Sequence, residues 1–169
     1  MMKGNNGSGN IEERDLWETD QDLFDILNEQ YNFQIDCCAS ENNKKCFFYY
    51  DDFINQYTSI CKDSINWMNP PFSKANLMFE HFFKVIEKGI AIYRCDNMET
   101  KIWQDIILKN CDWVFIPKGR WTYNFFKFSS SGNKNKGSRF PSALIGVGVE
   151  PPKDLNGVTL FKNGKNKKK

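Results

Sequence analysis

A single histidine, His81, stands in the 169 residues, and six cysteines (Cys37, Cys38, Cys46, Cys61, Cys95, Cys111) include no C-x-x-C pair. A zinc site of the usual Cys/His spacing and a histidine-based nucleophilic triad both lack their parts, so no metal is expected. No apolar run approaches the roughly 18 residues that a membrane-crossing helix needs. Residues 1–10 are mostly Gly, Asn and Ser and hold no apolar segment of the secretory kind. The cysteines are therefore expected as reduced thiols in a cytoplasm, with Cys37, Cys38 and Cys46 acting as small buried hydrophobes. What the chain does have is apolar and aromatic material: 40% hydrophobic residues, with 15 Phe, 6 Tyr and 5 Trp. That is enough for a sizeable core, which excludes wholesale disorder and predicts one domain.

Charge is divided unevenly along the chain. Residues 117–169 hold 12 Lys and Arg against two acids, Glu150 and Asp154, whereas residues 1–116 hold 11 bases against 19 acids. A basic last third after an acidic front points to a polyanionic partner for that third.

Hydrophobic periodicity predicts alternating helices and strands. Thr19 or Asp20 caps a helix carrying Leu23, Phe24, Ile26 and Leu27, and Ser73 caps a second with Phe79, Phe82 and Ile86. A third opens at Thr100. Strands are expected at Phe33–Asp36, Phe47–Tyr50, Ile65–Met68, Ile90–Tyr93, Trp113–Ile116 and Ser142–Val149. The expected organisation is a disordered lead over 1–14 and one domain over 15–150. A polar loop over 118–140 and a basic, mobile tail over 151–169 complete it. Strand–helix alternation with short connections argues for an α/β fold with a parallel-type sheet covered on both faces. Ligands in such sheets sit at the carboxyl ends of the strands. Asp36, Asp51, Asp52, Asn69–Phe72 and Asp96 all fall there.

The most informative stretch is Trp67-Met68-Asn69-Pro70-Pro71-Phe72-Ser73. Two prolines at a strand end fix the backbone and remove two N–H donors, leaving carbonyls and one amide side chain facing outward. An aromatic ring follows at once. The set suits a planar, amino-bearing base, with two acceptors for the amino hydrogens and a ring to stack on it.

N-P-P-F after a strand resembles the motif of amino-methyltransferases that use S-adenosylmethionine. The flanking segments resemble the phage and prophage type of N6-adenine DNA methyltransferase, a Dam-like family. The matching segments are Trp17-Glu18-Thr19 with Leu23-Phe24, then Phe33-Gln34-Ile35-Asp36-Cys37-Cys38-Ala39, then Asn43, Lys45 and Cys46. Ile116-Pro117-Lys118-Gly119-Arg120 and Phe140-Pro141-Ser142-Ala143 follow, in the family's order. No Gly-rich loop follows the first strand, and Phe72 stands where tyrosine is commoner.

The resemblance implies a Rossmann-like class I methyltransferase fold, with a mostly parallel central sheet and helices on both faces, shortened between Asp52 and Ile65. It implies S-adenosylmethionine as cofactor and methyl transfer to the N6 amino group of adenine in duplex DNA, in a bacterial or phage-infected host cytoplasm. The base would be flipped into a pocket of Asn69, Pro70, Pro71 and Phe72. The donor would be held by Trp17, Thr19, Asp36, Ala39, Asn43 and, at the ribose, Asp51 or Asp52. DNA would be tracked by Arg120, Trp121, Lys134, Lys136 and Arg139. A nucleic-acid-binding protein of the same fold without catalysis, and an amino-methyltransferase acting on RNA adenine, are the competing readings.

Overall fold

The computed structural model describes residues 15, 18–57, 62–119, 123–124 and 140–161. Seven strands form one sheet: β2 (Ile35–Asp36), β3 (Phe48–Tyr49), β4 (Asn66–Met68), β5 (Gly89–Arg94), β6 (Trp113–Pro117), β8 (Ser142–Val147) and β9 (Gly157–Phe161). Their order across the sheet is β3-β2-β4-β5-β8-β6-β9. Two further strands, β1 (Glu18–Thr19) and β7 (Tyr123–Asn124), pair with each other as an antiparallel ribbon.

The mixed α/β class holds, and β3, β2, β4, β5 and β6 all point the same way, with β8 and β9 running against them. β3, β2, β4 and β5 run parallel, while β8 lies antiparallel between β5 and β6, and β9 runs antiparallel to β6. Runs such as Ile90-Ala91-Ile92-Tyr93 and Ala143-Leu144-Ile145 are apolar on both faces. That pattern marks a doubly covered strand without fixing its direction. The sheet also runs past residue 150, because Gly157–Phe161 closes one edge as β9. Its alternating Val158 and Leu160 lie in a stretch that otherwise reads as part of a lysine-rich tail.

Helices cover both faces, as the strand–helix alternation requires. Helix α1 (Gln21–Tyr31) starts where the Asp20 carboxylate accepts the Asp22 amide at 2.8 Å, and ends at Asn32 in the left-handed conformation (φ 50°). It packs Leu23, Phe24 and Leu27 against Phe33, Trp67, Ile90, Ile92 and Leu144. The other face carries α2 (Phe53–Gln56), α3 (Ala75–Val85) and a π-helical stretch, Ile102–Ile107, continued by α4 (Leu108–Asn110). There Phe53, Phe79, Phe82 and Trp103 meet Met68, Ala91, Val114 and Ile145. Successive residues thus alternate between the two cores: Trp67 against Met68, Ile90 against Ala91, Leu144 against Ile145. Each fully buried ring contributes about 1.5–3 kcal/mol, so both layers are held by dense apolar contact.

One expectation about α3 fails. Ser73 lies in a 3-10 turn, Phe72–Lys74, ahead of the helix, and Lys74 occupies the cap position without a side-chain cap. The Ser73 hydroxyl is engaged elsewhere.

Candidate active site

Beyond the carboxyl ends of β2, β3 and β4 the chain opens into a cleft of about 270 Å³. Its apolar lining includes Phe53, Trp67, Pro71 and Met78; its polar lining includes Asp15, Glu18, Thr19, Asp36, Ser40, Asn43, Lys45, Asp51, Asn69 and Lys74. This is the rim at which the strand-end acids and the Asn-Pro-Pro turn were expected to gather.

The wall formed by residues 38–45 is built on two side chains. Asp36, 3% exposed, accepts the Cys38 amide at 3.3 Å with one carboxylate oxygen and the Lys45 amide at 3.0 Å with the other. Burial pushes this carboxyl up to about 7, against the pull of those two amides and of the Lys45 charge. Asn43 then closes the loop tip, its side-chain oxygen accepting the Ser40 amide at 2.7 Å and hydroxyl at 3.1 Å. The Ala39 amide donates to the Tyr50 carbonyl at 3.0 Å, joining this wall to the end of β3. Burial, with the Asp36 charge, drives the Cys38 and Cys46 thiols up and favours their protonated form.

The opposite wall is the turn after β4. Asn69 is half-buried and lines the cleft with Pro71, while Pro70 is buried. Phe72 does not line the cleft. Its ring makes T-shaped contacts with Tyr93 (centroids 5.7 Å apart) and Phe140 (5.3 Å), and the Arg94 guanidinium lies 5.1 Å from the Phe140 centroid. Arg94 is in turn held by Asp96 through two hydrogen bonds, at 2.6 and 2.7 Å. The plane of Phe72 is therefore set by an aromatic and cationic stack at the end of β5.

The third wall is the segment entering α1. Thr19 is 1% exposed, lines the cleft, and its hydroxyl has no hydrogen-bond partner among the described residues. A buried hydroxyl without a partner costs about 1–3 kcal/mol, a cost that a ligand's polar group would remove. The lining carries Asp15, Glu18, Asp36 and Asp51 against Lys45 and Lys74, with the Asp36 carboxyl pushed toward its neutral form by burial. That balance suits a ligand carrying positive charge.

The cleft thus gathers Thr19, Asp36, Ala39, Asn43, Asp51, Asn69 and Pro71. Asp52 is not among its lining residues; its carboxylate accepts from the Asn55 side chain at 2.9 and 3.1 Å and opens α2. Trp17, Arg120, Trp121, Lys134, Lys136 and Arg139 lie outside the described residues. His81 packs at 4.7 Å on the Phe53 ring, with its pKa lowered chiefly by burial, and does not line the cleft. Sequence reasoning missed Asp15, Glu18 and Lys74 as lining residues. Lys74 follows the Asn-Pro-Pro-Phe turn within one helical turn and was findable; Asp15 gave no local signal. Among the described residues no group of three His, Cys, Asp or Glu side chains is placed to hold a metal ion, and no helix is long and apolar enough to cross a membrane.

Comparison with known proteins covers most of the chain. A DNA N-6-adenine-methyltransferase of Escherichia phage T1 is 30% identical over 85 residues, a stretch covering 47% of this chain and 34% of the phage protein. The sequence model of one family, DNA N-6-adenine-methyltransferase (Dam), matches residues 7–150. That span takes in all three walls of the cleft and most of the chain, and on it this chain belongs to the Dam family of DNA N-6-adenine-methyltransferases.

Proposed function

We propose that the chain transfers a methyl group from S-adenosylmethionine to the N6 amino group of adenine in DNA, on a Rossmann-like class I methyltransferase fold. The observation that carries the reading is Asn69-Pro70-Pro71 at the carboxyl end of β4, across one cleft from the buried, partnerless Thr19 hydroxyl and the Asp36 loop. The cleft fits the donor on chemical grounds. Its surplus of carboxylates matches a sulfonium and an ammonium group, Asp51 stands at the rim for ribose hydroxyls, and Ala39 leaves room beside the backbone. Thr19 supplies the hydroxyl whose partner is missing. Asp36 acts through the loop it holds as much as through any direct contact, since both of its oxygens already accept amides.

When bound, S-adenosylmethionine supplies a methyl group already activated on sulfur, so no strong base is needed. The chain's own task is to restore the nucleophilicity of an amine whose lone pair is spread into the ring. The Asn69 side-chain oxygen and the Pro70 carbonyl accept the two N6 hydrogens, which draws the nitrogen toward tetrahedral geometry. These acceptors meet charge developing at N6 and are fixed in advance by the two prolines. Phe72, its plane set by Tyr93 and Phe140, stacks on the flipped adenine. Arg120, Trp121, Lys134, Lys136 and Arg139 supply phosphate and base contacts from the basic last third.

The direct test incubates the chain with labelled donor and adenine-containing duplex DNA, then digests the product to nucleosides. Label in N6-methyladenine supports the proposal. Tight DNA binding without label would mean a binding protein that has lost catalysis, and label in RNA alone would mean a different acceptor.

A further inference from the structure

Asp15 and Ser73 are 58 residues apart, yet one Asp15 oxygen accepts the Ser73 amide at 2.9 Å and the other accepts the Ser73 hydroxyl. Asp15 belongs to the wall that enters α1 and itself lines the cleft; Ser73 follows directly on Asn69-Pro70-Pro71-Phe72. The turn cannot hold itself by its own amides at positions 70 and 71, because proline has none. Inside the turn, backbone support comes from the Lys74 amide to the Pro71 carbonyl at 3.1 Å. Across the cleft, support comes from Asp15.

We propose that Asp15 is a positioning residue: by gripping Ser73 it sets the Asn69–Phe72 turn against the donor wall, and so sets the distance between the reacting groups. The inference rests on the proposed transfer to adenine N6. Its chemistry is specific, since a carboxylate matches an amide and a hydroxyl presented side by side, a bidentate arrangement that a neutral or shorter side chain does not reproduce. A second feature agrees. β1, which follows Asp15 in the same wall, is itself pinned by pairing Glu18 with Asn124 and Thr19 with Tyr123. The wall is thus anchored at both ends, at one end on the turn that carries Asn69.

The test measures kcat at saturating donor and DNA, the donor Kd by calorimetry, and Tm, for Asp15→Ala, Ser73→Ala, Ser73→Thr and the double variant Asp15→Ala/Ser73→Ala. A misplacement of about 1 Å costs on the order of 100-fold in rate. Asp15→Ala is therefore expected to lower kcat by roughly 10- to 100-fold, and Ser73→Ala by less, with its donor Kd unmoved because the amide contact remains. Ser73→Thr, which keeps the hydroxyl, recovers most of what Ser73→Ala loses. The double variant is no slower than Asp15→Ala, because the pair acts as one unit. Full kcat in Asp15→Ala, or losses that simply multiply, or losses that follow Tm and are not recovered by threonine, would each overturn the inference. If Asp15→Ala did not fold, Ser73→Ala at its exposed position against Ser73→Thr decides by the same criterion. A parent chain that makes no N6-methyladenine refutes the underlying function instead, a result visible before any variant is compared.

Discussion

The two halves of the sheet are built to different standards. The antiparallel half, β8, β6 and β9, consists of strands of five or six residues in continuous register, with Trp113, Phe115, Leu144 and Ile145 buried. In the parallel half, β3, β2 and β4 have only two or three residues, and each ends in or is soon followed by an acid or asparagine, whereas β5 beside them has six. Short strands make few ladder bonds, so this half relies on side chains: Asp36 under the 38–45 loop, Asn43 at its tip, Asp15 on Ser73. The lesson is a division of labour. One half stabilises, and the other spends hydrogen-bonding groups on shaping a cleft.

The widest consequence is a pH dependence seated at Asp36 in the cleft wall. The folded-state pKa of Asp36 is raised by burial to about 7 from an ordinary 3.8. Between those values the native state keeps a proton that the unfolded chain has released. Its contribution to stability is full below about pH 4, falls as pH rises to about 7, and is level above. At about 1.4 kcal/mol per pH unit the loss approaches 4 kcal/mol. Denaturant titrations across that window should show it in the parent and a flatter profile in Asp36→Asn. A parent profile already flat would place Asp36 in a wetter setting.

Next in size is Asn69→Ala, which removes the proposed acceptor at the reacting nitrogen. Transfer should drop by about 3 kcal/mol, on the order of 100-fold in kcat, with Tm and donor affinity unchanged. Retained activity would take Asn69 out of the chemistry. Gly146→Ala is its mirror image in the stabilising half. A Cβ at Gly146 collides with the Trp113 indole, which is 2% exposed and tied by its N–H to the Val149 carbonyl at 2.6 Å. A cost of about 1–3 kcal/mol is expected in stability, while the folded fraction binds donor as the parent does. Smallest is the exposed Lys109–Asp105 pair at 2.9 Å in the π-helical stretch and α4. Lys109→Ala should change stability by no more than about 0.5 kcal/mol and leave the cleft untouched.

The stabilising half and the cleft half were not equally legible in the sequence. Helices α1 and α3 and strands β4, β5, β6 and β8 follow from apolar periodicity, and Asp36, Asp51 and Asn69 could be placed at strand ends from residue type alone. The insertion of β8 between β5 and β6 could not, because Ser142–Val147 is buried on both faces whichever way it runs. Asp51 and Asp52 are adjacent acids that only the start of α2 separates into a lining residue and a turn residue. Phe72 could be placed at the turn from residue type alone, but its contacts with Tyr93 and Phe140, which set the plane of its ring, join positions far apart in the chain. The Asp15–Ser73 contact joins positions 58 residues apart and leaves no trace in any local pattern.

The central claim is that the cleft at the carboxyl ends of the parallel strands takes the methyl donor, and Thr19 tests it most directly. Calorimetric titration of S-adenosylmethionine into the parent and Thr19→Val, with Tm read alongside, separates binding from stability. Removing a buried hydroxyl that has no partner should raise Tm. Donor affinity should meanwhile fall by roughly two- to tenfold, the worth of one hydrogen bond. No saturable binding to the parent, or an identical Kd in Thr19→Val, would contradict the account.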